Sequence, residues 1–410
     1  MTEKRPGGKD GLRQMNKAVR LDLGRLATFV PNKQLPVYNW FYFKEGFARD
    51  LVTLLLDRYV GKNGQGGNSN VLDPFVGSGT TLVACKERGL DSYGFDVSPL
   101  AILASRAKTN DYDVDELKQS IKLLSKSKFQ KPDTSAIPKE VRRYFNKHTL
   151  DDVMFFRKQV GQFSGEIQDF VKLGLITSTT KCSYMYKDGA VLKIRKKPVP
   201  VFRKFYIRTL RKMLADVQKT EPKFKQCQTF VDEGDARNLK IDSQFIDLVI
   251  TSPPYMNKIE YTKIYGVEEF LFFGVPFEKR GLRSYVGSGV KPDAEAIFPD
   301  QSLPPAANAY FADMSQVFSE LRRVCKPGAV LAFVIGDGCF PTLDGRLDDD
   351  GSGRHASGRV VHADALLPRL AQDQGFETEQ VYVLNERWCT KNRVEKVGKM
   401  EESLIIMRKI

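Results

Sequence analysis

Ser252-Pro253-Pro254-Tyr255 is the segment of this 410-residue chain with the plainest capacity for chemistry. It follows Asp247-Leu248-Val249-Ile250-Thr251, an apolar run that reads as a buried strand, and ligands of open α/β sheets gather just beyond such strand ends. Proline carries no N–H, so two in succession offer carbonyl oxygens without competing donors. The Ser252 hydroxyl and the Pro253 carbonyl can hold both hydrogens of an amino group and favour a pyramidal nitrogen with its lone pair free to attack. Tyr255 adds a flat face for stacking. Taken by itself, the tetrapeptide is also a simple turn closing a strand. No Pro-Cys pair occurs in the chain, which leaves no obvious thiolate for covalent catalysis.

A second constellation lies upstream. Asp73-Pro74-Phe75-Val76-Gly77-Ser78-Gly79-Thr80-Thr81 joins a short strand at 71–73 to a helix at 80–88. Without side chains, Gly77 and Gly79 let a ligand approach the backbone and the helix N-terminus. A P-loop would need Gly-Lys-Ser/Thr here, and a dinucleotide fold would need three glycines in a wider spacing. Asp96 ends the next strand, 92–96, 17 residues beyond Gly79, where a carboxylate can accept both hydroxyls of a ribose. Together these features point to an adenosine cofactor without a pyrophosphate.

The 73–81 loop and the Ser252–Tyr255 tetrapeptide resemble those of the amino-methyltransferase family of DNA-modifying enzymes, over roughly residues 35–110 and 228–410. The resemblance implies S-adenosyl-L-methionine as cofactor, with Asp73, Phe75, Gly77, Gly79 and Thr80 around its methionine part and Asp96 on its ribose. Asp235, in Phe230-Val231-Asp232-Glu233-Gly234-Asp235-Ala236, matches the family's acidic residue near the adenine amino group. Lys44-Glu45-Gly46-Phe47 resembles the family's N-terminal cofactor motif, with Phe47 as its contact. Ser252, Pro253, Pro254 and Tyr255 are then catalytic, acting on a base swung out of the duplex. Ser252 at the first position leans towards cytosine N4, whereas an aspartate there leans towards adenine N6, which stays open. The segments 259–265 and 283–288 look like those bordering the family's base pocket. DNA is the implied partner, with a cognate restriction endonuclease encoded nearby as a companion. An RNA-base methyltransferase and a binding protein that has lost catalysis are the rival readings.

The elements needed to position these residues are those of an α/β fold. The expectation is a Rossmann-like methyltransferase, a mostly parallel sheet flanked by helices with a large, mainly helical insertion. Strands are expected at 71–73, 92–96, 228–233, 245–250, 329–335, 377–384 and 403–407, and helices at 48–59, 80–88, 309–324 and 363–374. Residues 1–30 read as a basic flexible tail, 31–112 and 228–410 as the catalytic domain, and 113–227 as the insertion. Stretches 281–306 and 336–359, rich in Gly, Pro, Asp and Ser, read as long loops.

Charge supplies a place for target recognition, which no separate module past the last strand provides. The net charge of +14 favours a polyanionic partner. Residues 113–230 hold 26 Lys and Arg against 12 Asp and Glu, a local excess as large as the whole net charge. Within it Lys193, Arg195, Lys196, Lys197, Arg203, Lys204 and Arg208 are interleaved with Tyr184, Tyr186, Phe202 and Tyr206, a mix suited to phosphate contact and base reading. A solvated helical face is the plain alternative. The six cysteines and three histidines complete no metal-ligand spacing, so no metal and reduced, mostly structural thiols are expected. No apolar run spans a bilayer and no secretory signal opens the chain, which points to the cytosol or nucleoid.

Overall fold

The computed structural model describes residues 17–61, 69–188, 191–220, 224, 226–256, 264–276, 297–301, 303–347, 354–391 and 395–410. In chain order the elements begin with β1 (Lys17–Val19), three short 3-10 turns and α1 (Arg49–Tyr59), followed by β2 (Val71–Asp73), α2 (Thr80–Arg88), β3 (Ser92–Asp96) and α3 (Pro99–Thr109). Next come α4 (Val114–Lys126), α5 (Lys139–Arg142), α6 (Lys147–Val160), α7 (Gly165–Lys181), the hairpin β4 (Met185–Asp188) and β5 (Val191–Ile194), and α8 (Phe202–Thr220). The α/β pattern resumes with β6 (Thr229–Glu233), β7 (Ile246–Thr251), α9 (Gly266–Phe273), α10 (Pro305–Val324) and β8 (Cys325–Gly336). The chain finishes with β9 (Gly338–Leu347), β10 (Arg354–Val361), α11 (Ala363–Asp373), β11 (Phe376–Lys391) and β12 (Glu395–Lys409).

Eight strands form one sheet in the order β1-β11-β12-β8-β7-β2-β3-β6. From β8 to β6 every neighbour is parallel, and β12 alone runs antiparallel to its neighbours. The sheet is buried on both faces, as parallel sheets are. Along β8 the side chains alternate: Val330, Ala332 and Val334 join the core under α1 and α2, whereas Leu331, Phe333 and Ile335 join the core under α10 and α11. Local rules set the helix ends near the site. Gly79 and Gly89, both left-handed, bracket α2, and the Ser98 side chain accepts from the Ala101 N–H to start α3, with Pro99 in its first turn.

The expected mostly parallel α/β architecture is therefore present. Residues 113–220 add helices α4 to α8, and their core is continuous with Tyr38, Trp40, Leu103 and Leu271. Three expectations are corrected. The basic tail of 1–30 is structured from residue 17, because Lys17–Val19 adds a parallel strand to β11 and Leu21–Ala27 follows as a 3-10 turn; residues 1–16 lie outside the described residues. The supposed loop at 336–359 contains the antiparallel pair β9–β10, whose ladder joins Gly338 to Val361 and Phe340 to Arg359. Cys339 and Cys389 are disulfide-bonded, with Cα atoms 5.9 Å apart, because β9 and β11 bring together residues 50 apart in sequence. The supposed loop at 281–306 falls largely outside the described residues. Among the described residues no helix is long and apolar enough to cross a membrane.

Candidate active site

Because β7, β2, β3 and β6 run parallel side by side, the segments after their carboxyl ends converge on one edge of the sheet. That edge collects the 73–81 loop, Asp96, Asp235 and Ser252–Tyr255. Asp73 is buried, and its Oδ1 accepts from the Thr251 hydroxyl at 2.7 Å and from the Phe75 N–H at 3.2 Å. Burial pushes its carboxyl up to about 6, opposed by hydrogen bonds from Thr251, Thr81 and the Phe75 N–H.

Asp96 receives the Gly77 N–H at 3.0 Å and the Ser98 N–H at 2.9 Å. Burial raises its pKa as well, and backbone N–H groups pull it back. Gly79 sits at φ +78°, where a Cβ would lie 2.9 Å from Ser105 Oγ and 3.0 Å from Ser105 Cα, so the turn requires glycine. The loop's carbonyls turn towards α3: Gly77 O accepts from the Ser105 hydroxyl at 3.2 Å and Ser78 O from Lys108 Nζ at 2.9 Å. Thr80 opens α2. Two carboxylates, a helix N-terminus and no basic residue within 73–81 suit a ligand bearing an ammonium, a carboxylate and a ribose.

Asp235 lies just past β6 with both oxygens against Arg237 Nε, at 2.9 and 3.1 Å, and Arg237 also reaches Asp313 at 2.7 Å. It is a carboxylate steadied by an arginine. The N-terminal aromatic run divides its labour. Phe47 is buried in the core with Leu51 and Leu55, and Phe43 instead takes the place beside the loop, since a Cβ on Gly77 would lie 3.4 Å from its ring. Asn32, which the sequence reading missed, is fully buried and ties this run together, donating to Phe47 O at 3.0 Å and accepting from the Arg49 N–H at 2.8 Å.

In the loop after β7, Ser252, Pro254 and Tyr255 are half-buried and Pro253 is buried. The Thr251 bond to Asp73 holds the start of this loop against the start of the 73–81 loop. Tyr255 Oη donates to Glu402 Oε1 at 3.0 Å. Of the segment 259–265, residues 264 and 265 are described, and 283–288 lies outside the described residues. Tyr265 stacks on Phe43 with ring centres 5.2 Å apart and planes 3° from parallel, and its hydroxyl donates to Glu45 Oε2 at 2.9 Å. Burial raises the Glu45 pKa, with Tyr265 and Lys187 opposing.

The insertion reaches this edge through its hairpin. Lys187 on β4 lies 3.6 Å above the Tyr265 ring and 2.9 Å from Glu268 Oε1. The adjoining Glu269 accepts from Ser98 Oγ at 3.0 Å, beside Asp96. Neither glutamate had a sequence signal beyond its place in an apolar helix. Of the basic candidates, Lys193, Arg195, Lys196, Lys197, Lys204 and Arg208 are exposed. Arg203 is not among them: it donates to Ser127 O at 2.8 Å and lies over Phe155 and Phe156. Tyr206 and Phe202 are core residues, whereas Tyr186 is exposed with Arg195 over its ring.

Asp337, His362 and Asp364 bring potential metal-ligand atoms within 4.8 Å of one another near the end of β8. His362 Nδ1 is 2.9 Å from Asp337 Oδ2, which raises the histidine's pKa, and Lys17 Nζ is 3.0 Å from Asp364 Oδ2.

Residues 31–106 match the family described as DNA methylase. The Type II methyltransferase M.BsoBI of Geobacillus stearothermophilus is 25% identical, covering 92% of this chain and 85% of its own. The Type II methyltransferase M.AvaI of Nostoc is 24% identical, covering 88% of this chain and 83% of its own. The Type II methyltransferase M.MjaII of Methanocaldococcus jannaschii is 38% identical over a shorter stretch, 21% of this chain and 16% of its own.

Proposed function

Because the chain belongs to the DNA amino-methyltransferase family, we propose that it methylates the exocyclic amino group of a DNA base, cytosine N4, from S-adenosyl-L-methionine. The observation that carries this reading is the Thr251–Asp73 hydrogen bond, which sets the tetrapeptide beside the cofactor loop. Asp73, Gly77, Gly79, Thr80 and the ring of Phe43 would hold the methionine part of the cofactor, Asp96 its ribose and Asp235 its adenine. When bound, the cofactor supplies an electrophilic methyl group on a sulfonium.

The chain's own residues do the rest. Ser252 Oγ and the Pro253 carbonyl accept the two amino hydrogens and turn the nitrogen lone pair towards the methyl group. Tyr255 stacks on the base once it has left the duplex, an extrusion that costs a few kcal/mol. A neutral serine acceptor serves either amine, and the choice of cytosine N4 follows the lean of the family's Ser-Pro-Pro-Tyr form. The exposed lysines and arginines of β5, α8 and the segment between them grip the phosphates, and the match to the DNA methylase family and the Type II relatives supports a DNA partner.

Incubation with methyl-tritiated cofactor and separate DNA and RNA pools, followed by nucleoside mass spectrometry, tests the reading. N4-methylcytosine in DNA is the expected product. N6-methyladenine alone would overturn the choice of base, and label confined to RNA, or absent from both, would overturn DNA methylation.

A further inference from the structure

We propose that Glu402 is a positioning residue for Tyr255, fixing the tilt of the ring on which the target base stacks; the inference rests on the methyl-transfer reading and deepens it. Glu402 lies on β12 opposite Gly336, the last residue of β8, at the edge where the loop after β7 crosses the sheet. It is 6% exposed. Its successors along the strand, Leu404 and Ile406, are buried and aliphatic, so packing alone would be met by an aliphatic side chain here. A buried carboxylate is unfavourable unless it is paired, and this one is paired at both oxygens. Oε1 accepts from Tyr255 Oη at 3.0 Å, and Arg387 Nη2 stands 3.5 Å from Oε2.

The ring of Tyr255 is thereby held at two ends. At its backbone it follows Pro254, whose φ is fixed by the pyrrolidine ring. At its far end the hydroxyl is anchored on β12, 147 residues away in sequence, on the frame of the sheet. Stacking needs only the aromatic face, and a phenylalanine would supply it. The hydroxyl adds a constraint on the plane of that face, and transfer to a nitrogen is sensitive to misplacement of the base by fractions of an ångström. Arg387, on the facing strand β11, gives the second oxygen of Glu402 a partner of its own, so the carboxylate is held from two sides. Neither residue touches the reacting atoms, so both act through Tyr255.

The test is a double-mutant cycle on the full chain, read as single-turnover methyl transfer at saturating DNA, KM for DNA and cofactor binding. Tyr255→Phe and Glu402→Ala are each expected to slow transfer about tenfold, to leave the cofactor dissociation constant within about twofold, and to lose no more when combined than either loses alone. Glu402→Gln keeps an acceptor for the hydroxyl and should recover most of the rate. Transfer by Tyr255→Phe at the unaltered rate, or losses that multiply in the double variant, would overturn the proposal while leaving the methyl-transfer reading intact. If Glu402→Ala fails to fold, Tyr255→Phe and Glu402→Gln decide alone: a slow Phe variant with a fast Gln variant supports the proposal, and any other pairing overturns it. No transfer to DNA by the unaltered chain would overturn the methyl-transfer reading itself.

Discussion

The carboxyl edge of the sheet and the helical insertion hold their polar residues in opposite ways. At the sheet edge Asp73, Asp96, Asp235 and Tyr255 each engage a named partner at 2.7 to 3.2 Å, and the loops carrying them are fixed by strand ends and a left-handed glycine. On the insertion, Lys196, Lys197, Lys204 and Arg208 are exposed on a helix and an extended segment. Moving a methyl group requires atoms preset to within fractions of an ångström, whereas binding a polyanion requires charge density alone. The two regions meet where Lys187 of the hairpin rests on Tyr265 and Glu268.

The sharpest way to break the contrast is to alter one residue on each side. If Ser252 accepts an amino hydrogen as proposed, Ser252→Ala removes an acceptor used only as the nitrogen pyramidalises, so methyl transfer should fall about a hundredfold or more while cofactor and DNA affinities stay within about threefold. Equilibrium binding alongside single-turnover rates checks this, and an equal loss in binding would show that Ser252 serves the ground state. The opposite pattern is expected from Lys196, Lys197, Lys204 and Arg208 changed together to Ala. DNA affinity should fall by about tenfold or more at physiological salt and the slope of log affinity against log salt by about 3 to 4, with the rate at saturating DNA nearly unchanged. An unaltered slope would take this surface out of the interface.

What the sequence disclosed follows the same divide between local and distant. The turn at Gly77 and Gly79, the strand ending at Asp96 and the tetrapeptide after β7 each obey a rule that acts within about ten residues, so they lie where the spacing places them. The aromatic run 38–47 announced a motif without saying which ring faces the loop, and tertiary packing sent Phe47 to the core and Phe43 to Gly77. Tyr206 belongs to a local pattern, since Phe202, Tyr206, Leu210, Met213 and Val217 recur at helical spacing and are all buried. The β9–β10 pair hides in a Gly- and Asp-rich composition that mimics a loop, and the Cys339–Cys389 bond and the Tyr255–Glu402 contact join residues 50 and 147 apart, beyond any local rule.

The mildest distinction between the two regions is their response to pH. DNA binding through the exposed lysines and arginines of the insertion should barely change between pH 5 and 8, as checked by equilibrium binding across that range. Asp73, by contrast, is pushed up from 3.8 to about 6 by burial. If its carboxylate holds the ammonium of the cofactor, cofactor affinity should be about half its plateau at pH 6 and fall about tenfold by pH 5, as measured by titration calorimetry. The sign for stability is the reverse. With a folded-state pKa above the unfolded one, the ionised carboxylate destabilises the ligand-free fold in full above about pH 6, and this penalty vanishes as pH falls below 3.8. The penalty is roughly 3 kcal/mol at most. Asp73→Asn keeps an oxygen to accept from Thr251 and the Phe75 N–H, so the ligand-free variant should melt higher than the unaltered chain at pH 7.5 and bind cofactor poorly. A variant that melts lower would mean that the charge of Asp73 stabilises the loop, and that the buried edge is held by ionic attraction as much as by geometry.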